Sequence, residues 1–115
     1  MSLPPTNASR IPSSAASVNA TVAKASGGHL HFITGMNGAV TVRYLKFYDK
    51  AATPVVGTDT PVLTVALPAS TAFSLDMGGF TFANGIGYGI TVLAPDADAS
   101  AIAAADILGL NIMYD

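Results

Sequence analysis

The sequence predicts an all-β fold: an antiparallel β-sandwich of about eight strands, with a jelly roll as the commonest eight-strand solution. Three observations carry that reading. Short segments of five to ten residues alternate apolar and polar side chains at a period of two, as strands with one buried face do. Gly, Pro and Asn clusters separate them. A single stretch, Pro95–Ala105 with Ala97, Ala99 and Ala103–Ala105, could hold a helical turn, and a short loop reads equally well there.

Residues 1–17 read as an extended N-terminal arm, leaving 18–115 as the sandwich domain. Leu3-Pro4-Pro5 and Ile11-Pro12 show no periodicity, and prolines without an N–H argue against a regular ladder. The arm is either an unstructured terminus or a tether over a neighbouring subunit, anchored by Leu3 and Ile11 with Pro5 and Arg10 beside them. Ser17–Lys24 is a plausible first strand. In His29–Met36, alternation places Leu30, Phe32 and Thr34 inward and His29, His31 and Ile33 outward. Asn37-Gly38 is a tight-turn signal that leads into Val40–Asp49, the segment richest in β-branched and aromatic residues. There Leu45 and Phe47 are expected in the core. Arg43 and Asp49 share that face; Val42, Tyr44, Lys46 and Tyr48 share the opposite one, with the rings of Tyr44 and Tyr48 at an edge or an interface.

The dozen residues Lys50–Pro61 are long for a hairpin and imply a crossover or a surface loop. Val62–Leu67 places Leu63, Val65 and Leu67 on one face. Thr71–Asp76 points Phe73 and Leu75 inward, and Gly78-Gly79 reads as a turn into Phe80-Thr81-Phe82. Asn84-Gly85 is a second tight-turn signal. Ile86–Leu93 alternates Ile86, Tyr88, Ile90 and Val92 against Gly87, Gly89, Thr91 and Leu93; its glycine face invites a backbone or ring to lie close. Asp106–Tyr114 closes the chain with Leu108, Leu110, Ile112 and Tyr114 on one face.

Composition bounds the function. The 115 residues contain no cysteine and no glutamate, so disulfide and thiolate-metal chemistry are excluded. Charged residues make up 10%, against roughly 25% in ordinary globular proteins, and twenty of the apolar residues are alanines. So sparse a charge suits a protein covered by neighbours better than a free monomer. All five Lys/Arg and one Asp lie in residues 1–50, and six Asp without a base in 51–115, a balance of +4 against −6. That split is either chance or a sign that the basic strand meets an acidic neighbour. It is not the clustered basic face of a nucleic-acid binder. Met1–Ile11 lacks a secretory signal pattern, and no apolar run approaches the ~18 residues of a bilayer span.

The chemistry-bearing residues do not assemble into a reactive motif. His29 and His31 could begin a zinc site, but further ligands could come only from Asp; two outward polar residues is the plainer reading. Asp96-x-Asp98-x-Ser100 starts like a calcium loop, yet Ala101 and Ile107 stand where the pattern needs Gly and Glu. No Gly-x-Ser-x-Gly elbow is present, and Gly85-Ile86-Gly87-Tyr88-Gly89 is not a dinucleotide fingerprint. No cofactor, metal or catalytic residue is assigned.

Tyr44-Leu45-Lys46-Phe47-Tyr48-Asp49-Lys50, Gly57-Thr58-Asp59-Thr60-Pro61, Leu67-Pro68, Phe82 with Gly85-Ile86, Ile90-Thr91 and the Asp96/Asp98 loop together resemble a group of small structural proteins of tailed bacteriophages. These sit on the virion as capsid decoration (cement) proteins or as tail and fibre modules. The resemblance covers roughly residues 18–115. It implies a β-sandwich on the capsid surface that assembles as a homo-oligomer, commonly a trimer, and bridges subunits of the major capsid protein. The interface residues expected on this reading are Leu3, Pro5, Arg10, Ile11, Arg43, Tyr44, Lys46 and Tyr48, with no nucleic-acid or membrane partner. The alternative is a tail or fibre module that binds a host receptor or glycan; a polysaccharide-degrading enzyme is a weaker third.

Overall fold

In the computed structural model, which describes residues 7–115, eight strands form: β1 (Asn7–Ser13), β2 (Thr21–Lys24), β3 (Gly28–Asn37), β4 (Arg43–Asp49), β5 (Leu63–Leu67), β6 (Thr71–Phe82), β7 (Ile86–Thr91) and β8 (Ile107–Tyr114). Antiparallel pairs nest along the chain: β1 with β8, β2 with β7, β3 with β6, β4 with β5. Rolling that long ribbon on itself adds β3–β8 and β4–β7. The result is two four-stranded sheets, ordered β1-β8-β3-β6 and β2-β7-β4-β5. This is the order of the eight-stranded jelly roll.

The inner faces meet in one core. Leu30 and Ile33, Phe73, Phe82, Leu110 and Ile112 come from the first sheet; Leu45 and Phe47, Leu67, Ile86, Tyr88 and Ile90 from the second. Burying each such side chain stabilises the fold by about 1.5–3 kcal/mol. Phe47 stacks edge-on to Phe82 across the core, with ring centroids 6.3 Å apart. Ser9 and Tyr88 hydroxyls bond at 2.8 Å, which satisfies a phenol that burial would otherwise strand.

Three bulges in the β1-β8-β3-β6 sheet break strict alternation. Leu30 faces Tyr114 and Phe32 faces Met113, so His31 is an extra residue on β3. Beyond it the parity inverts: Ile33 is fully buried and Phe32 points outward, opposite to the sequence expectation. Gly109, at φ 57°, is the extra residue on β8 between Leu108 and Leu110. It turns Leu108 out to solvent and puts Ile107 in its place. Gly78 and Gly79, at φ 67° and 74°, bulge β6 rather than ending it. The expected strands 71–76 and 80–82 are therefore one.

The count of eight survives because residues 7–13 form a strand the sequence did not announce. β1 is a sheet edge, with Pro12 between the paired Ile11 and Ser13; there a missing N–H has no ladder to break. Leu3 and Pro5 lie outside the described residues.

Neither Asn-Gly pair makes a hairpin, because β3–β4 and β6–β7 link different sheets. Gly38 and Gly85 both lack the positive φ that such a turn requires. Side chains hold these crossings instead. Buried Asn37 accepts from the Ala39 N–H at 2.9 Å and donates to the carbonyls of Leu67 at 2.9 Å and Thr41 at 3.2 Å. Asp49 accepts from the N–H groups of Asn84 (2.7 Å), Ala83 (3.1 Å) and Gly85 (3.3 Å). Residues 95–105 form turns and loop with no helix.

Candidate interaction surface

The two outer faces of the sandwich differ, and β4 shows why. Leu45 and Phe47 enter the core as their alternation requires, yet Lys46 and Tyr48 on the other face are buried too. Their cross-strand neighbours on β7 are Gly89 and Gly87. That glycine strip does receive a close neighbour, and it is the side chains of the chain's own loop 50–62. A Cβ on Gly87 would stand 2.6 Å from Pro54 Cγ, and one on Gly89 2.7 Å from Val56 Cγ2. Loop 94–105 covers the rest, where Lys46 Nζ donates to the carbonyls of Pro95 at 2.7 Å and Asp98 at 3.2 Å. Tyr48 Oη is buried and unpartnered among the described residues. Burial, then the nearby charges of Asp59 and Asp96, raise its pKa.

Lys46 and Tyr48, expected at an interface, are thus sealed under the chain's own loops, while Tyr44 is half-buried. Arg43 is committed as well: its Nε lies 3.0 Å from Asp106 Oδ2, with both side chains 13% exposed. Lys50 Nζ pairs with Asp59 Oδ2 at 2.7 Å, which lowers the Asp59 pKa. In both pairs a cation from the first half of the chain meets an acid from the second. The uneven charge distribution accordingly acts within the chain at these positions. Arg10 lies exposed on β1, and Ile11 is half-buried against the core.

The bulge at His31 swings both imidazoles of β3 onto one carboxylate. His29 Nδ1 lies 2.8 Å from Asp115 Oδ1, and His31 Nε2 lies 2.8 Å from Asp115 Oδ2. Hydrogen bonds from His31 and then His29 hold the Asp115 pKa down at about 2. The carboxylate occupies the space between the rings. Among the described residues no three such groups converge on a common metal point. Asp98, the second acid of the 96–100 loop, is turned onto its own backbone. It accepts from the Ser100 hydroxyl and from the N–H groups of Leu93 (3.2 Å) and Ser100 (3.3 Å). Ser100, then these backbone bonds, lower its pKa.

Among the described residues, no loop comparable to 50–62 lies over the other outer face. Cross-strand register sets Ala8, Met113, Phe32 and Asp76 in one row, and Arg10, Asn111, Thr34 and Ser74 in the next. Met36 and Leu108 face each other nearby and are both exposed. At the flank where β5 and β6 are the sheet edges, Leu75 lies opposite core residue Ile33, hence points inward, yet it is 36% exposed. The core runs out to solvent there, alongside exposed Phe80 and Val62. Sequence alternation marked Leu75 as inward but could not show that the described residues leave it partly exposed.

No family model matches the chain, and no curated protein matches it. Among solved structures, the Tobacco streak virus coat protein aligns over 100% of this chain and 90% of its own, at 14% sequence identity and a TM-score of 0.45. A likeness at that level carries no argument, and the jelly-roll assignment rests on the chain's own strand pairing.

Proposed function

We propose that this chain is a non-enzymatic virion structural protein that decorates a capsid surface, binds the major capsid protein and stabilises the shell. The observation that carries the reading is how the polar and apolar groups are distributed. Lys46, Arg43, Lys50, His29, His31, Asp98 and Asp115 are spent on bonds within the chain. Large apolar side chains, Val40, Val55, Val62, Leu75, Phe80, Leu93 and Leu108 among them, stay exposed to solvent. Such a surface works by contact area. The sequence resemblance to phage decoration proteins supplies the setting, since jelly rolls as a class serve several kinds of work. Stabilisation follows from mass action: a ligand that binds only the assembled shell shifts the equilibrium toward it, and many copies add through multivalency. Arg10, Ile11 and Tyr44 remain the interface residues of this reading, together with the uncovered outer face of β1, β8, β3 and β6.

The test is stoichiometry and rescue on the source particle. A decoration protein is present at hundreds of copies, and adding it back to stripped particles raises their disruption temperature. A few copies per particle, with binding of the purified chain to host cells or glycans, would instead establish the fibre-module alternative.

A further inference from the structure

We infer that copies of this chain associate side to side, the β1/β2 flank of one against the β5/β6 flank of the next, and close into a ring. The inference rests on the decoration reading for its setting but on separate observations for its geometry. After the internal pairs are removed, the described residues leave Arg10 on β1 and Lys24 on β2 with no ion-pair partner. Both cations lie on edge strands of one flank. Asp76, on the edge strand of the other flank, has no ion-pair partner either; its carboxylate accepts only the Gly78 N–H, at 2.8 Å.

Arg10 and Asp76 share the outer face of one sheet and sit one register step apart, about 6–7 Å along the strands. A neighbour placed by rotation about an axis parallel to the strands brings them together with little sliding. The same operation sets β6 antiparallel to the next copy's β1, because the intervening pairs are all antiparallel. It also covers Leu75, Phe80 and Val62, where the core now meets solvent.

Opposite charge on opposite flanks disfavours a two-fold contact, which would set like against like on each flank. A head-to-tail interface is heterologous, and such interfaces close into rings when the rotation permits. The partner is therefore a second copy of this chain, matched to the first in both charge and strand direction.

The experiment uses the full chain in sedimentation equilibrium at low and high salt, with Asp76→Lys, Arg10→Asp and the pair combined. Asp76→Asn, which keeps an acceptor for the Gly78 N–H, separates loss of charge from loss of the bulge; circular dichroism confirms each fold. The wild type is expected to form a ring that salt weakens. Each reversal should weaken assembly by at least about tenfold, and the combined variant should recover it. A monomeric wild type, single reversals that assemble normally, or a double variant that fails to recover would each overturn the inference. Capsid binding by a monomer would overturn it while sparing the decoration reading. A ring that ignores capsids would do the reverse.

Discussion

Replacing Ile33 and Phe32 by alanine, one at a time, measures whether the bulge at His31 sets the inward face of β3. Ile33 is fully buried between Leu75 on β6 and Ile112 on β8. Truncating a buried isoleucine costs about 2–5 kcal/mol, part lost transfer energy and part residual cavity. With neighbours from two strands holding the space open, about 3–4 kcal/mol is expected. Phe32 points outward and is half-buried between Met113 and Asp76, so its truncation should cost about 1 kcal/mol. At about 4 °C per kcal/mol for a domain of this size, Tm should fall by about 12–16 °C for Ile33→Ala and about 4 °C for Phe32→Ala. Urea titration should show a lower midpoint at unchanged slope for both. A larger loss for Phe32→Ala than for Ile33→Ala would mean that alternation runs unbroken through His31, and the account of the bulge would be wrong.

Lys46→Met should cost about 1–3 kcal/mol by leaving the Asp98 carbonyl without its donor and taking one of two donors from the Pro95 carbonyl, seen as a lower urea midpoint; Lys46→Asp should unfold the domain rather than change its oligomeric state alone. Asp49→Ala removes the acceptor of three backbone N–H groups at the β6–β7 crossing and should cost about 1–3 kcal/mol, with faster amide exchange at Asn84 and Gly85. Gly89→Val drives side-chain atoms into Val56, so limited proteolysis should cut loop 50–62 faster than in the wild type. Asp115 has a folded pKa of about 2, below the ordinary carboxylate value of about 3.9. Its stabilising effect is therefore complete above the unfolded value and lost as pH falls through the folded one. The Tm gap between wild type and Asp115→Asn should be full near pH 5 and close toward pH 2.

Much of the fold was legible in local pattern. Leu45, Phe47, Ile86, Tyr88, Ile90, Leu110 and Ile112 announce their burial by alternation, and the Gly87/Gly89 strip announces a close approach. On the sequence reading, deleting residues 1–15 weakens capsid attachment and leaves the fold intact. The structure shows that it removes edge strand β1 and buried Ser14, whose hydroxyl donates to the Ala103 carbonyl and accepts from the Ile107 N–H, each at 3.1 Å.

The residues by themselves determined the class: period-two segments, turn formers and scarce charge leave little but an antiparallel sandwich. Which segments pair, where parity inverts and which charges face solvent were decided by the tertiary structure. A bulge such as His31 or Gly109 depends on the register of both flanking strands, information that no single segment contains. Lys46 looks like a surface lysine until loops 50–62 and 94–105 fold over it. Its burial is stable because two carbonyls about fifty residues away in the chain arrive to accept its hydrogen bonds, and only long-range packing can bring them there.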